Sequence, residues 1–310
     1  MGLLTVSGAT RLVLNVKFLF IRLISISVSV VPFKSFVLNS FGSIVGLFLM
    51  LLGIGQWRAI KRFARHTASP MPALLYIAKY FVQQGKDGVW GYVFCEAPSV
   101  LDEYVTMENV EAMRQALARG KGAIVLGAHY GPVLCTYMLD RMHFNVKTLV
   151  AKRLVTQLRD AGTLVLKPLR SKKVVFLNES GVVLVAQEEE KYLFDHVKKG
   201  GMVKMDIDYP GPKKNAGRVP FLGISISPHL FPFRLALKYD VPIFFCFFNK
   251  NKYGAYIMNF IRSGEYSTPE EGFRQYLSRL QAQIEEYPFM WAMAPLFFKW
   301  SQYPENGVVR

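Results

Sequence analysis

The run Gly122-Ala123-Ile124-Val125-Leu126-Gly127-Ala128-His129-Tyr130-Gly131-Pro132 leaves this chain little choice of fold. Its small and branched apolar residues, bounded by Gly122 and Gly127, predict a short central strand. Pro132 fits the first turn of a helix, where a missing N–H is harmless. His129 is therefore predicted at a strand-to-helix corner, the position at which open α/β sheets place their chemistry. A histidine merely satisfied within a loop is the competing reading of the same residue.

The rest of the chain repeats this grammar. A helix capped by Thr106 or Asn109 runs through Leu117 and stops at Gly120-Lys121-Gly122. Val146 to Ala151 is predicted as a second strand with Lys152 and Arg153 at its end, and a basic region with weak strands follows through Lys173. Gln187 to Lys199 makes a charged helix ended by Gly200-Gly201, and Met202 to Ile207 a strand that delivers Asp206 and Asp208 to its end. Lys213, Lys214 and Arg218 lie in the next loop, before the apolar Val219-Pro220-Phe221-Leu222-Gly223. A helix over Leu230 to Tyr239, strands over Val241 to Phe248 and Ala255 to Ile261, and an amphipathic helix over Pro269 to Glu286 complete the series. Alternating strands and helices without an internal repeat predict an α/β fold, a mixed central sheet with helices on both faces.

Composition bears on the N-terminal part. The chain is 51% hydrophobic with a mean hydropathy of +0.20, greasier than an ordinary soluble protein. Residues 12–31 are apolar but interrupted by Lys17 and Arg22; Val37 to Ile54 is cleaner and close to the ~20 residues that cross a bilayer. Spanning the membrane, lying in its interface, and forming a buried core helix are all compatible with that run; Gly42, Gly46 and Gly53 suit close helix packing. Trp57, Arg58, Lys61, Arg62 and Arg65 follow as an aromatic and basic girdle. Residues 1–66 are thus predicted as N-terminal membrane helices, with a short helix over Tyr76 to Gln84 opening an α/β domain over 67–310. Lys and Arg exceed Asp and Glu by 38 to 22, a net charge of +16 that favours phosphate-bearing partners. No nucleic-acid module is spelled out, so an anionic membrane surface is the expected partner. Cys95, Cys135 and Cys246 are scattered through apolar runs and encode neither a metal site nor a disulfide framework.

Five landmarks in order resemble the late acyltransferases of lipid A synthesis, in the lysophospholipid acyltransferase superfamily. They are the Gly127-Ala128-His129-Tyr130-Gly131 corner; Lys199-Gly200-Gly201 leading into Asp206-Ile207-Asp208-Tyr209; Arg218-Val219-Pro220-Phe221-Leu222-Gly223; Leu235 through Val241-Pro242; and the tail from Tyr287-Pro288-Phe289-Met290-Trp291 to Phe298-Lys299. The resemblance covers roughly residues 35–300. It implies a glycerolipid acyltransferase-like fold at the cytoplasmic face of a bacterial inner membrane. The implied reaction moves a fatty acyl chain from an acyl carrier protein or coenzyme A thioester to a hydroxyl of a membrane lipid, with no cofactor and no metal. His129 would be the general base, and backbone N–H groups at the start of the helix after Gly131 would receive the oxyanion.

The family pattern places an acid five residues after the histidine, where this chain has Leu134; Asp140 is eleven residues on, roughly 16 Å away at helical rise. The orienting carboxylate is therefore expected from another strand, Asp206 or Asp208, because parallel strand ends converge on one edge of a sheet. The competing reading of these two is a solvated Asp-x-Asp turn. Gly131, Lys152, Arg153, Lys213, Arg218, Phe221 and Gly223 are the expected substrate-binding residues, the basic ones as a clamp on phosphate. The tail also departs, with Pro295, Leu296 and Phe297 where the family carries a His and Arg pair. Two other functions fit the same landmarks: a non-catalytic lipid-binding or assembly protein that keeps the fold, and a thioesterase or lipid hydrolase using water as acceptor.

Overall fold

A computed structural model describes residues 34–132, 139, 144–149, 190–211, 217–251 and 255–301, apart from 68, 97 and 98. The predicted features at 12–31, at Ala151 to Lys173 with Lys152 and Arg153, and at Lys213, Lys214 and Leu134 lie outside these residues.

A six-stranded, mostly parallel sheet forms the centre. Its strands are β1 (Val105–Glu108), β2 (Ala123–Gly127), β3 (Val146–Leu149), β4 (Met202–Asp206), β7 (Ile243–Lys250) and β8 (Tyr256–Arg262), in the order β1-β8-β7-β2-β4-β3. Strands β7, β2, β4 and β3 run parallel; β8 turns back antiparallel on β7, and β1 joins β8 in parallel at the edge. All five residues of β2 are buried, as are the first six of β7, which matches their unbroken apolar sequences. A separate two-stranded hairpin pairs β5 (Val219–Phe221) with β6 (Ile224–Ile226). No strand is predicted for that stretch from sequence. Leu222 and Gly223 both adopt positive φ, 47° and 73°, the conformation that a two-residue hairpin turn requires.

The helices are α1 (Lys34–Leu52), α2 (Ile54–His66), α3 (Ala73–Glu96), α4 (Ser99–Tyr104), α5 (Val110–Ala118), α6 (Glu190–Lys198), α7 (Phe231–Tyr239), α8 (Pro269–Glu286) and α9 (Phe297–Ser301). They flank the sheet on both faces. Tyr276 of α8 packs its ring on Phe245 and Phe247, while α3 reaches the opposite face, where Trp90 meets the Tyr256 ring and Asp87 accepts the Tyr256 hydroxyl. Helix α8 begins as its sequence dictates, with a Thr268 and Glu271 capping box and Pro269 in the first turn.

Three expectations are corrected. The short helix over Tyr76 to Gln84 is a 24-residue helix, α3. Gly85 and Gly88 do not end it, because tertiary contacts on both sides outweigh their weak propensity. Thr106 caps no helix, since it lies within β1; Asn109 does hold the N-cap position of α5, at φ 60°, but its side chain makes no capping bond and its amide donates to Asn259 at 2.7 Å. The apolar run over Val37 to Ile54 divides into α1 and the start of α2, and α1 does not stand apart. It packs antiparallel along α3, with Gly42 beside Lys86 and Gly46 beside Phe81 and Val82.

Candidate active site

Strands β2 and β4 pair in parallel with Gly127 opposite Asp206. Each continues two residues past that pair, so His129 and Asp208 emerge side by side at one sheet edge. The His129 ring donates from Nδ1 to Asp208 Oδ1 at 2.7 Å, and the His129 backbone N–H donates to Asp208 Oδ2 at 2.9 Å. The indole N–H of Trp291 donates to the same Oδ2, also at 2.9 Å. Three donors from two chain segments thus fix a fully buried carboxylate, while a third of the imidazole stays exposed. With Nδ1 carrying the proton toward Asp208, Nε2 keeps its lone pair. Burial pulls the His129 pKa down, but the Asp208 charge and hydrogen bond, with Asp206 nearby, outweigh it and raise the pKa above its ordinary value.

Asp206 has a different role. Its Oδ2 accepts from the Lys204 ammonium at 2.5 Å, and both side chains are largely buried. Burial pushes its carboxyl up, yet the Lys204 charge, assisted by His129, holds it below the usual carboxylate range. Gly127 makes room for this pair, since a Cβ there would lie 2.5 Å from Asp206 Oδ1. The Gly127 carbonyl accepts the Tyr276 hydroxyl at 2.7 Å, which ties the end of β2 to α8. The two acids predicted together are therefore separated in function: Asp208 serves the histidine and Asp206 neutralises a lysine. Neither forms a solvated turn.

The backbone of the corner is held by the C-terminal tail. Tyr130 and Trp291 form an antiparallel bridge, Gly131 N–H donates to the Met290 carbonyl at 2.9 Å, and Ala292 N–H donates to the His129 carbonyl at 2.8 Å. Tyr130 buries its ring, with its hydroxyl within reach of the Gln283 and Tyr287 carbonyls. Gly131 takes φ 71°, outside the helical region, and a Cβ there would meet Phe248 at 2.9 Å. The Gly131 N–H is bonded to Met290 and the Tyr130 N–H to Ala128, so neither is free for an oxyanion; the helix start after Gly131, from which those donors are expected, lies outside the described residues.

Beside the dyad, Tyr209 is partly exposed, its ring 6.4 Å from that of His129 and 4.6 Å from that of His229. Burial drives the His229 pKa down to about 4 against a backbone hydrogen bond to Pro210. Of the two hairpin residues expected to touch substrate, Phe221 is buried and Gly223 is exposed. Phe221 is buried against Trp291 at 5.8 Å, and Gly223 turns the β5–β6 hairpin against the His66 ring. The His66 Nε2 bonds the Leu222 carbonyl. Arg218 is exposed and donates to the Ser225 carbonyl across that hairpin. Phe233, Phe244, Phe245, Phe247 and Phe248 are buried core.

Trp291 and Lys204 are the site residues that sequence reasoning missed. Trp291 stood within a quoted landmark, and its one signal was general: a buried indole N–H needs an acceptor. Among the described residues no three His, Cys, Asp or Glu side chains gather in a way that would hold a metal. A scan of protein-family models finds no match to this chain, and a search of curated proteins finds none either.

Proposed function

We propose that this chain is a membrane-associated O-acyltransferase that moves a fatty acyl group from an acyl carrier protein or coenzyme A thioester to a hydroxyl of a membrane lipid, a lipid A-like glycolipid or a phospholipid, at the cytoplasmic face of a bacterial inner membrane. The observation that carries this reading is the His129–Asp208 pair, with Nδ1 bound to a buried carboxylate and a third of the imidazole exposed. It is the arrangement a general base needs. The order of the five landmarks and the basic, apolar N-terminal helices support the choice of substrate class.

In the proposed reaction the acceptor hydroxyl gives its proton to His129 Nε2 as its oxygen attacks the thioester carbonyl. The new C–O bond produces a tetrahedral oxyanion, which collapses by breaking the C–S bond. The departing thiolate takes the proton back from Nε2, so the enzyme ends as it began. Asp208 holds the ring in the productive tautomer and stabilises the imidazolium between the two proton transfers.

Purified protein incubated with radiolabelled acyl-coenzyme A or acyl carrier protein and a bacterial lipid extract is expected to yield labelled lipid. His129→Ala should abolish that product while leaving the melting temperature near that of the unsubstituted chain. Equal yield from His129→Ala would refute the mechanism, and release of free fatty acid without any acceptor would move the assignment to a thioesterase.

A further inference from the structure

Helix α1 carries an 18-residue window, Ser35–Leu52, of mean hydropathy 2.0, of which only 17% is buried in the fold. By length alone it could cross a bilayer. Its packing argues against that. The α1–α3 contact is as close as two backbones allow: a Cβ on Gly85 would lie 2.2 Å from the Gly42 carbonyl oxygen and 2.4 Å from the Gly46 nitrogen. Farther along, Trp90 of α3 donates its indole N–H to Asn39 at 3.1 Å. Helix α3 is in turn bound into the α/β body. The Tyr80 hydroxyl donates to the Ala292 carbonyl, the Gln84 amide to the Phe289 carbonyl, and Asp87 accepts from Tyr256. A spanning α1 would draw Gln83, Gln84, Lys86 and Asp87 into hydrocarbon beside it, a placement charged and amide groups resist.

The exposed faces divide α1 into two halves. Toward its N-terminus, Ser35, Asn39, Ser40 and Ser43 line a cleft of about 510 Å³ with Lys86 and Tyr104. Phe36 is the large apolar side chain of that half that stands well exposed among the described residues. Toward its C-terminus, Leu47, Phe48, Leu51 and Leu52 are exposed, as is Ile54 at the start of α2, joined by Leu74 and Leu75 at the start of the antiparallel α3. From residue 44 to residue 52, where α1 ends, the helical rise covers roughly 12 Å, less than half of the ~30 Å hydrocarbon core. Helix α2 follows at once, its Ile60, Phe63 and Ala64 turned into the body, Arg58, Lys61 and Arg65 outward, and the Arg62 guanidinium laid over the Phe298 ring at 4.0 Å.

We propose that the tip of the α1–α3 hairpin, residues 44–54 with Leu74 and Leu75, enters one leaflet of an anionic bilayer without crossing it, and that the basic face of α2 lies on the headgroups. This deepens the membrane association in the proposed function and is independent of acyl transfer. The occupant of the exposed face is lipid rather than protein, because the apolar tip is shallower than one leaflet and is bordered by the outward cations Arg58, Lys61 and Arg65.

The test uses the full chain carrying an environment-sensitive fluorophore on a cysteine introduced at Ser40, Leu51 or Leu74, with the unsubstituted chain as blank. On addition of vesicles of phosphatidylglycerol and phosphatidylethanolamine, the labels at 51 and 74 should shift to the blue and be quenched by shallow lipid-borne quenchers. The label at 40 should keep its aqueous emission. Arg58→Glu with Lys61→Glu and Arg65→Glu should weaken vesicle binding by at least about a hundredfold, on the scale of a polybasic contact. A blue shift at 40 equal to that at 51 would show a span and overturn the proposal. Absence of vesicle binding, with or without a dimer in solution, would overturn it as well. Acylation of a water-soluble acceptor in detergent would be untouched by either result, so the two readings fail separately.

Discussion

At the scale of single residues, the site depends on how a buried carboxylate is kept in place. Asp208 accepts from the ring, from the backbone of the residue it orients, and from the Trp291 indole. Asp208→Asn removes the charge that raises the His129 pKa and leaves burial to lower it. Because a base works in its neutral form, the acid limb of the pH–rate profile should move to lower pH in that variant. The plateau should fall by about three to four orders of magnitude, as when a triad loses its acid. Trp291→Phe keeps most of the ring volume and loses one hydrogen bond to a charged group, worth about 1.5–3 kcal/mol. We expect kcat to fall tenfold or more with KM little changed. Steady-state kinetics across pH 5–9 checks both variants. Sequence reasoning reached as far as Asp206 or Asp208 but could not choose between them. The choice depends on Gly127, which leaves Asp206 space to turn toward Lys204, and that requires knowing which strands are neighbours.

At the scale of elements, the helices and strands whose signals are local were legible, and those stabilised by distant partners were not. Helix α8 announces itself with Thr268, Pro269 and Glu271, and its sequence bounds are those observed. Helix α3 was cut short at Gln84 because Gly85 and Gly88 look alike in sequence. They differ entirely in surroundings. A Cβ at Gly88 would meet nothing within 4 Å, whereas one at Gly85 would strike the backbone of α1. Gly88→Ala should therefore stabilise the chain by about 0.5–1 kcal/mol through helix propensity. Gly85→Ala should destabilise it by about 1–3 kcal/mol, as overpacking does, and loosen α1. Thermal unfolding of the two variants, with limited proteolysis between Leu52 and Ala73, separates these outcomes.

At the scale of the whole molecule, the buried Asp87 and the half-buried His229 contribute to the response of stability to pH in opposite senses. Burial raises the Asp87 pKa to about 6 against the pull of Lys250 and of its hydrogen bonds, and burial lowers that of His229 to about 4. Asp87 contributes stability that is fully present below about pH 4 and is lost as the pH rises through 6. His229 contributes stability that is present above its unfolded value of about 6.5 and is lost as the pH falls toward 4. Between pH 4 and 6.5 the two oppose each other, each by about 3 kcal/mol. Melting temperatures over that range should fall more steeply toward acid in Asp87→Asn and less steeply in His229→Gln. A parallel change in both variants would contradict the assignment.

The register of β2 against β4 has a consequence for how the proposed chemistry can be lost or kept. When an acid sits five residues after a histidine on one segment, their meeting is guaranteed by local chain length. Here 79 residues separate the partners, and what brings them together is the alignment of Gly127 with Asp206. A slip of one residue between the two strands would turn Asp208 to the opposite face of the sheet while altering no residue near His129. The reading frame of this dyad is thus a hydrogen-bond ladder between strands, and changes anywhere in that ladder, including at buried apolar positions far from the ring, can silence it.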